Sequence, residues 1–281
     1  PRLLTLWFDF TSIEGDDNIS AMQDKANELM ATYYKTIPPV AYYSVLPQII
    51  SNIGHSDHDT AKLIMYILRK ILVRYPAQAM WQLAWLRQSK LQERRDKGSE
   101  IFKASQRTLQ RNEQMKMHDL LEASFDLFGF LDNIANYQPK RSNDRSFKFS
   151  AQRFKVNLKA FIPPVQAALT VSHHAIGSSN GHEPFPIHIP RMRSFCSDVK
   201  IMASKAKPKK LTAYATMDFE SPPGECTANK SQHGDIGEMH FLVKREAKGD
   251  LRKDARVQDL NTVINRLFVS SRGNGGTERG Q

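Results

Sequence analysis

Residues 59–75 read DTAKLIMYILRKILVRY. Ile64, Ile67, Leu68, Ile71, Leu72 and Tyr75 recur at three- and four-residue spacing, and further apolar residues widen the face beyond a single stripe. That pattern predicts a helix covered on most of its sides by other helices. Asp57 or Asp59 is placed to cap its start, and Pro76 ends it while allowing a second helix, Ala77 to Leu86, to begin at once. Outward from this segment, helical signals run from Asn18 to about Leu169 in pieces of ordinary helix length. Ser89 to Met117 is rich in Lys, Arg, Gln and Glu and reads as one long solvated helix, after which Leu120, Leu121, Phe125, Phe128 and Leu131 restore an apolar stripe. Tyr137 to Phe147, with Pro139 and many polar residues, reads as a flexible connection. No fixed-period repeat is visible, so the layout predicts an α-solenoid or irregular helical array.

The character changes after Val171. Ser178, Ser179, Asn180 and Gly181 mark a loop, and Pro184, Pro186 and Pro190 keep the next stretch extended. Strand-like runs follow at Val199 to Ser204, Leu211 to Thr216 and Met239 to Val243, with Met217 to Glu238 expected as a long exposed hairpin loop. Asp250 to Ser270 is amphipathic, with Val257, Leu260, Ile264 and Leu267 on one face. The Gly- and Arg-rich tail, Ser271 to Gln281, is expected to be disordered.

Composition bounds the function. The 281 residues carry 40 Lys+Arg against 29 Asp+Glu, a net charge of +11, and 40% are hydrophobic, which excludes a wholly disordered chain. The longest apolar candidate, Ala61 to Tyr75, is interrupted by Lys62, Arg69, Lys70 and Arg74, so no helical membrane span is expected. Pro1-Arg2-Leu3-Leu4 has neither an initiator Met nor a signal layout, and the chain is read as a piece of something longer. Cys196 and Cys226, with no CxxC pair, favour a reducing, intracellular setting over a disulfide framework.

Several groups of residues have the composition of a site. Lys200, Lys205, Lys207, Lys209 and Lys210 crowd a turn between two strands, where ammonium groups and backbone N–H groups could hold a polyphosphate or simply be a solvated basic face. Lys244 to Asp254 places a lysine at a strand end and an acid in the first turn of the following helix, an arrangement that in protein kinases pairs phosphates and acid through one lysine. His173, His174, His182, His188 and Cys196 match no zinc spacing, and Ser178 near His173 and His182 lacks a nucleophile-elbow motif. Trp81, Trp85 and Leu86, near Met80, are expected in helix-pair packing.

Taken together, these segments resemble a known family. Met202-Ala203-Ser204-Lys205-Ala206-Lys207-Pro208-Lys209-Lys210-Leu211-Thr212 is similar to the phosphate-binding loop and second strand of the phosphatidylinositol-3-kinase-related protein kinases. Gly249-Asp250-Leu251-Arg252-Lys253-Asp254-Ala255-Arg256 resembles their Asp-Leu-Arg-x-Asp signature. His182-Glu183-Pro184-Phe185-Pro186 and Tyr75-Pro76-Ala77-Gln78-Ala79-Met80-Trp81 resemble boundary and helical motifs of the ATR-type checkpoint branch. Pro1 to Phe10 resembles the last stretch of that branch's helical FAT domain.

The resemblance implies a mainly α fold, a FAT-type α-solenoid followed by a partial α+β kinase N-lobe. Its expected parts are 1–170 (FAT helices), 171–198 (connection), 199–270 (lobe) and 271–281 (tail). It implies ATP binding by Ser204, Lys205, Lys244 and Asp254: Ser204 and Lys205 in the phosphate loop, Lys244 as the nucleotide lysine and Asp254 as the helix acid that orients it. Relatives usually place that lysine eight positions before the acid, where this chain has Glu246. Either the turn carries two extra residues, Lys248 substitutes, or nucleotide binding is compromised. The family's Gly-Asp-Arg-His catalytic run, its metal-binding Asn and its Asp-Phe-Gly equivalent are not found in these 281 residues, so no catalytic or metal-ligand residue is assigned and the segment alone is expected to be inactive. For the parent the resemblance implies a nuclear serine/threonine kinase of the DNA-damage and replication checkpoint, using ATP and Mg²⁺ on protein substrates. It also implies a homodimer with an ATR-interacting partner protein, indirect DNA association and no membrane contact. The competing reading is a basic helical scaffold that binds nucleic acid or protein through Lys90 to Arg111, weakened by the interleaved Glu93, Asp96 and Glu100.

Overall fold

The computed structural model describes residues 2–139, 141, 144–149, 191–204, 206–216 and 235–245, with positions 257, 261 and 264. Eight α-helices occur among them: α1 (Arg2–Thr11), α2 (Asp17–Thr36), α3 (Pro39–Tyr43), α4 (Leu46–Ser51), α5 (His58–Arg74), α6 (Pro76–Ala84), α7 (Gln92–Gln106) and α8 (Arg111–Asn136). Five strands follow: β1 (Ser146–Lys148), β2 (Arg191–Phe195), β3 (Asp198–Ile201), β4 (Lys209–Thr216) and β5 (Asp235–Val243).

Helix α5 is the hub, touching α2, α3, α4, α6 and α7. Its Ile64, Ile67, Leu68, Ile71 and Leu72 are each no more than 1% exposed, and burying such side chains stabilises by about 1.5–3 kcal/mol apiece. Of the two candidate caps, Asp57 is the one used: its carboxylate accepts from the Thr60 amide at 2.7 Å. Tyr75 closes the helix and Pro76 opens α6, which passes into a short 3-10 turn over Trp85–Gln88.

The expected single helix over 89–117 is two helices. Thr108 turns back onto the Ser105 carbonyl at 2.7 Å, and Gln110 with Glu113 forms a capping box that starts α8 afresh. Nor is α7 solvated all round, because Gly98, Ile101, Phe102 and Ser105 are buried against α5 and the 3-10 turn. Gly98 permits that approach: a Cβ there would lie 2.8 Å from Leu86 Cβ. Gly98→Ala is expected to destabilise by about 1–2 kcal/mol, overpacking outweighing alanine's better helix propensity. Urea denaturation of the two proteins checks it.

A buried polar cluster joins α1, α2 and α5. The Trp7 indole N–H and the Thr60 hydroxyl both donate to Asn27 Oδ1, at 2.9 and 3.0 Å, and Asn27 Nδ2 donates to Asp57 at 2.9 Å. Burial alone would raise the Asp57 carboxyl, but its hydrogen bonds with Thr60 and Asn27 and the neighbouring His55 ring outweigh it and hold the group below its usual range.

Helix ends recur as tie points. The last carbonyls of a helix lack partners and sit at the negative end of its dipole, and here distant side chains serve them. Lys70 on α5 donates to the Tyr34 and Ile37 carbonyls at the end of α2, at 2.7 and 2.8 Å, with its ammonium 5.0 Å from the Tyr34 ring centroid. Burial lowers the Lys70 pKa. Arg94 on α7 donates to the Ile50 carbonyl of α4 at 3.0 Å. His55 accepts from the Asp57 amide at Nδ1, which places its proton on Nε2, 3.0 Å from the Phe8 carbonyl of α1.

The strands form one antiparallel sheet. β4 is central: β5 runs along one edge, from Lys209↔Val243 to Thr216↔Asp235. On its other edge β3 pairs with the first half and β2 with the second, while β1 extends the sheet beyond β3. The expected strands are found with shifted ends, since β3 stops at Ile201, β4 starts at Lys209 and β5 starts at Asp235. Two strands went unpredicted. The two ends of the Tyr137–Phe147 connection are docked: Tyr137 stacks on Phe147 with ring centroids 3.7 Å apart, and Ser146 to Lys148 pair with β3. Arg191–Phe195, expected within the connection, is β2. The sheet therefore recruits residues ahead of position 199. Phe130 of α8 lies 5.0 and 5.2 Å from the Phe149 and Phe195 rings, and the helices and the sheet's inner face share one core cluster.

Of the hairpin loop expected over Met217 to Glu238, residues 235–238 are instead part of β5; 217–234, the His173, His174, His182 and His188 group, Ser178 and the tail lie outside the described residues. Of the expected helix over 250–270, positions 257, 261 and 264 are described and are helical.

Candidate functional site

Strand alternation divides the lysine cluster. In β3, Asp198 and Lys200 face outward while Val199 and Ile201 face the core. In β4 the inward positions are Lys209, Leu211 and Ala213. Lys209 is 5% exposed, and its ammonium donates to the Ala135 carbonyl in the last turn of α8 at 2.8 Å. Burial, then the nearby Arg245 charge, lowers its pKa. Lys209 is thus a helix-end tie, not part of a free cationic array. Lys207 is exposed, Lys200 is exposed and Lys210 is half-buried on the outer side.

The turn between β3 and β4 is tightly drawn. The Met202 amide donates to the Pro208 carbonyl at 2.9 Å, the Ser204 amide to Met202 at 2.9 Å and the Lys207 amide to Ser204 at 3.1 Å. Lys207 has φ 43°, the left-handed region that L-residues adopt at a cost of about 1 kcal/mol. Ser204 is exposed on this turn. Val243 pairs with Lys209, so Lys244, the next residue, is exposed beside Pro208 at the same end of the sheet. Ser204 and Lys244, forty positions apart in sequence, therefore lie at the same end of the sheet, following the two strands that flank the start of β4. Lys205, Lys248 and Asp254 lie outside the described residues, as does Glu246.

The other candidates separate clearly. Trp81 packs edge-on to Phe128 at 5.0 Å and Leu86 is 2% exposed, while Trp85, 58% exposed, caps the same Phe128 ring at 5.8 Å. In the basic helix, Arg94 serves Ile50, Arg95 bonds Ser89 and Gln92, and Lys97 pairs Glu93 at 2.7 Å. Arg94, Arg95 and Lys97 are thus engaged by neighbouring groups of the fold, whereas Lys90, Lys103, Arg107 and Arg111 of the same segment are exposed. Among the described residues no helix is long and apolar enough to cross a membrane, and no group of three His, Cys, Asp or Glu could hold a metal.

Comparison with known proteins gives the same direction. Residues 25–127 match the family model described as serine/threonine-protein kinase ATR-like, HEAT repeats. The serine/threonine-protein kinase ATR of Oryza sativa is 30% identical over 286 residues, covering 95% of this chain and 10% of the rice protein. The chain belongs to the ATR-like kinase family. The Arabidopsis thaliana ATR kinase is 28% identical and covers 95% of the ATR-like chain, and protein kinase rad3 of Schizosaccharomyces pombe is 27% identical with the same coverage. The chain spans about a tenth of the length of these relatives. A solved structure of the "FAT and kinase domain of CtTel1" superposes on 94% of the ATR-like chain and 18% of its own length with a TM-score of 0.57 at 18% identity, which is a likeness of fold.

Two features of the ATR-like chain escaped sequence reading. Lys209 shares the period-two face of Leu211 and Ala213, a signal that was available but hidden by the surrounding lysines. The Asn27 cluster had none stronger than a poor helix former, Asn, placed mid-helix.

Proposed function

We propose that this chain forms the helical flank and part of the nucleotide-binding lobe of a serine/threonine protein kinase that transfers the terminal phosphoryl group of ATP to protein substrates. One observation supports the reading: the β3–β4 turn with Ser204 and the end of β5 with Lys244 lie at the same end of the sheet, on either side of the start of β4. That end fits a polyphosphate, because the exposed Lys200, Lys207 and Lys244 and the half-buried Lys210 offer cations around a turn ending in a serine hydroxyl. The Ser204 amide is engaged within the turn, so its hydroxyl is the group left for a phosphate oxygen. Lys205 shares that loop, and Asp254 orients Lys244.

ATP, when bound, supplies the group that is transferred. This chain holds and neutralises phosphates. Residues 1–281 alone are expected to be inactive, because they contain no Gly-Asp-Arg-His run and no Asp-Phe-Gly equivalent to ligate Mg²⁺ and position the acceptor hydroxyl. The domain limits are proposed as 1–170, 171–198, 199–270 and 271–281, with β1 and β2 contributed to the lobe's sheet from the first two. By family relationship we place the parent in the nucleus, in the DNA-damage and replication checkpoint, with an ATR-interacting partner protein and indirect DNA association. A dimer is supported by the fold neighbour described as a "Complete CtTel1 dimer with C2 symmetry".

Crosslinking of an ATP analogue to the full-length protein tests the site. Labelling is expected to fall at least about tenfold with Lys244→Met, as expected for loss of a charge-assisted phosphate contact. Labelling that is unchanged by Lys244→Met but lost with Lys248→Met would move the nucleotide lysine to the latter.

A further inference from the structure

Lys209 stands where two parts of the molecule meet. On the sheet side its backbone pairs with Ile201, the last residue before the turn 202–208, and with Val243, the residue before Lys244. On the helical side its ammonium donates at 2.8 Å to Ala135, in the final turn of α8. α8 carries no basic residue in that last turn, so Lys209 is the cation its end receives. Around this bond the contact is apolar: Ile134 is 3% exposed and Phe130 packs on Phe149 and Phe195. A hydrogen bond with a charged donor, shielded in this way, is directional where the surrounding rings are not.

We infer that Lys209 is a positioning residue that couples the end of α8 to the nucleotide end of the sheet, fixing both the 202–208 turn and Lys244 relative to the helical array. The inference rests on the ATP-site reading above. Since β4 is held at Lys209, a displacement of the α8 end moves the base of the turn and the end of β5 together. Coupling of this kind is reciprocal, so nucleotide held at that end of the sheet restrains the end of α8.

Two measurements on the full-length protein test it. Lys209→Met keeps the length and apolar stem but deletes the donor. The variant is expected to raise the KM for ATP by about tenfold, within the usual range of coupling between sites, with kcat changed less than about twofold, and Lys209→Arg is expected to recover much of the loss. An unchanged KM in Lys209→Met, when Lys244→Met raises it, overturns the coupling and leaves the site assignment standing. No effect of Lys244→Met on ATP binding overturns both. The second measurement needs no variant: hydrogen exchange of the wild-type protein with and without a non-hydrolysable ATP analogue and Mg²⁺. Slower exchange is expected in residues 132–136 together with 202–208. Slowing confined to 202–208 overturns the inference, even where Lys209→Met fails to fold.

Discussion

Asn27→Ala is expected to lower the unfolding free energy by about 3–5 kcal/mol, because it strands several buried polar groups at once and each costs about 1–3 kcal/mol. Asn27 is 6% exposed. Its Oδ1 takes both the Trp7 indole N–H and the Thr60 hydroxyl, and its Nδ2 supports the Asp57 carboxylate that caps α5. Removing the amide leaves Trp7 N–H without its acceptor in a position 4% exposed, leaves Thr60 fully buried with its donor unpaired, and weakens the cap. Asn27→Asp is the informative companion: it keeps an acceptor for Trp7 and Thr60 but sets a second carboxylate against Asp57, so its loss is expected to shrink as the pH falls toward carboxylate protonation. Urea unfolding of the three proteins at neutral and acidic pH measures both effects. A loss under about 1 kcal/mol for Asn27→Ala would show that water replaces the amide and that the cluster is not closed.

What could be read from the sequence depended on whether a residue's role followed from its own neighbours. The hub helix was legible because Ile64 to Leu72 repeat at helical spacing and Asp57 and Pro76 bracket them. Strands β3, β4 and β5 were legible by their apolar runs, though not their ends. The division of Ser89–Met117 was hidden because Lys, Arg, Gln and Glu propagate a helix equally well, and the break rests on a capping box whose N-cap is the uncommon Gln110. Strands β1 and β2 were hidden for a different reason. Phe147 and Arg191 to Phe195 carry little local strand signal and are held by β3 and β4, which are distant in sequence. The site followed the same division. Ser204 and Lys244 could be named from motif resemblance, but their placement at the same end of the sheet depends on the Ile201↔Lys209 and Lys209↔Val243 pairings, and the inward turn of Lys209 depends on α8 lying beneath it.

Leu68→Ala is expected to cost about 3–5 kcal/mol, at the upper end for such truncations. The range seen for leucine truncation reflects how far a site can collapse, and here collapse is opposed from several directions. Leu68 is fully buried on a helix that touches α2, α3, α4, α6 and α7, with Ile64, Ile67, Ile71 and Leu72 beside it at no more than 1% exposure. Moving one neighbour inward would pull it from a second contact, so the void persists. The effect also reaches the sheet. α5 touches α6, α6 touches α8, α8 touches β5, and buried residues from α1 to β4 form one cluster. A shared core is expected to unfold as one unit, so the urea dependence of hydrogen exchange at α5 amides and at β4 amides should shift to lower urea together by the same amount. Separation of the two curves in Leu68→Ala would show that the helical array and the strands are separate cooperative units, and that the α8 contact at Phe130 and Lys209 is weaker than the core inside either one.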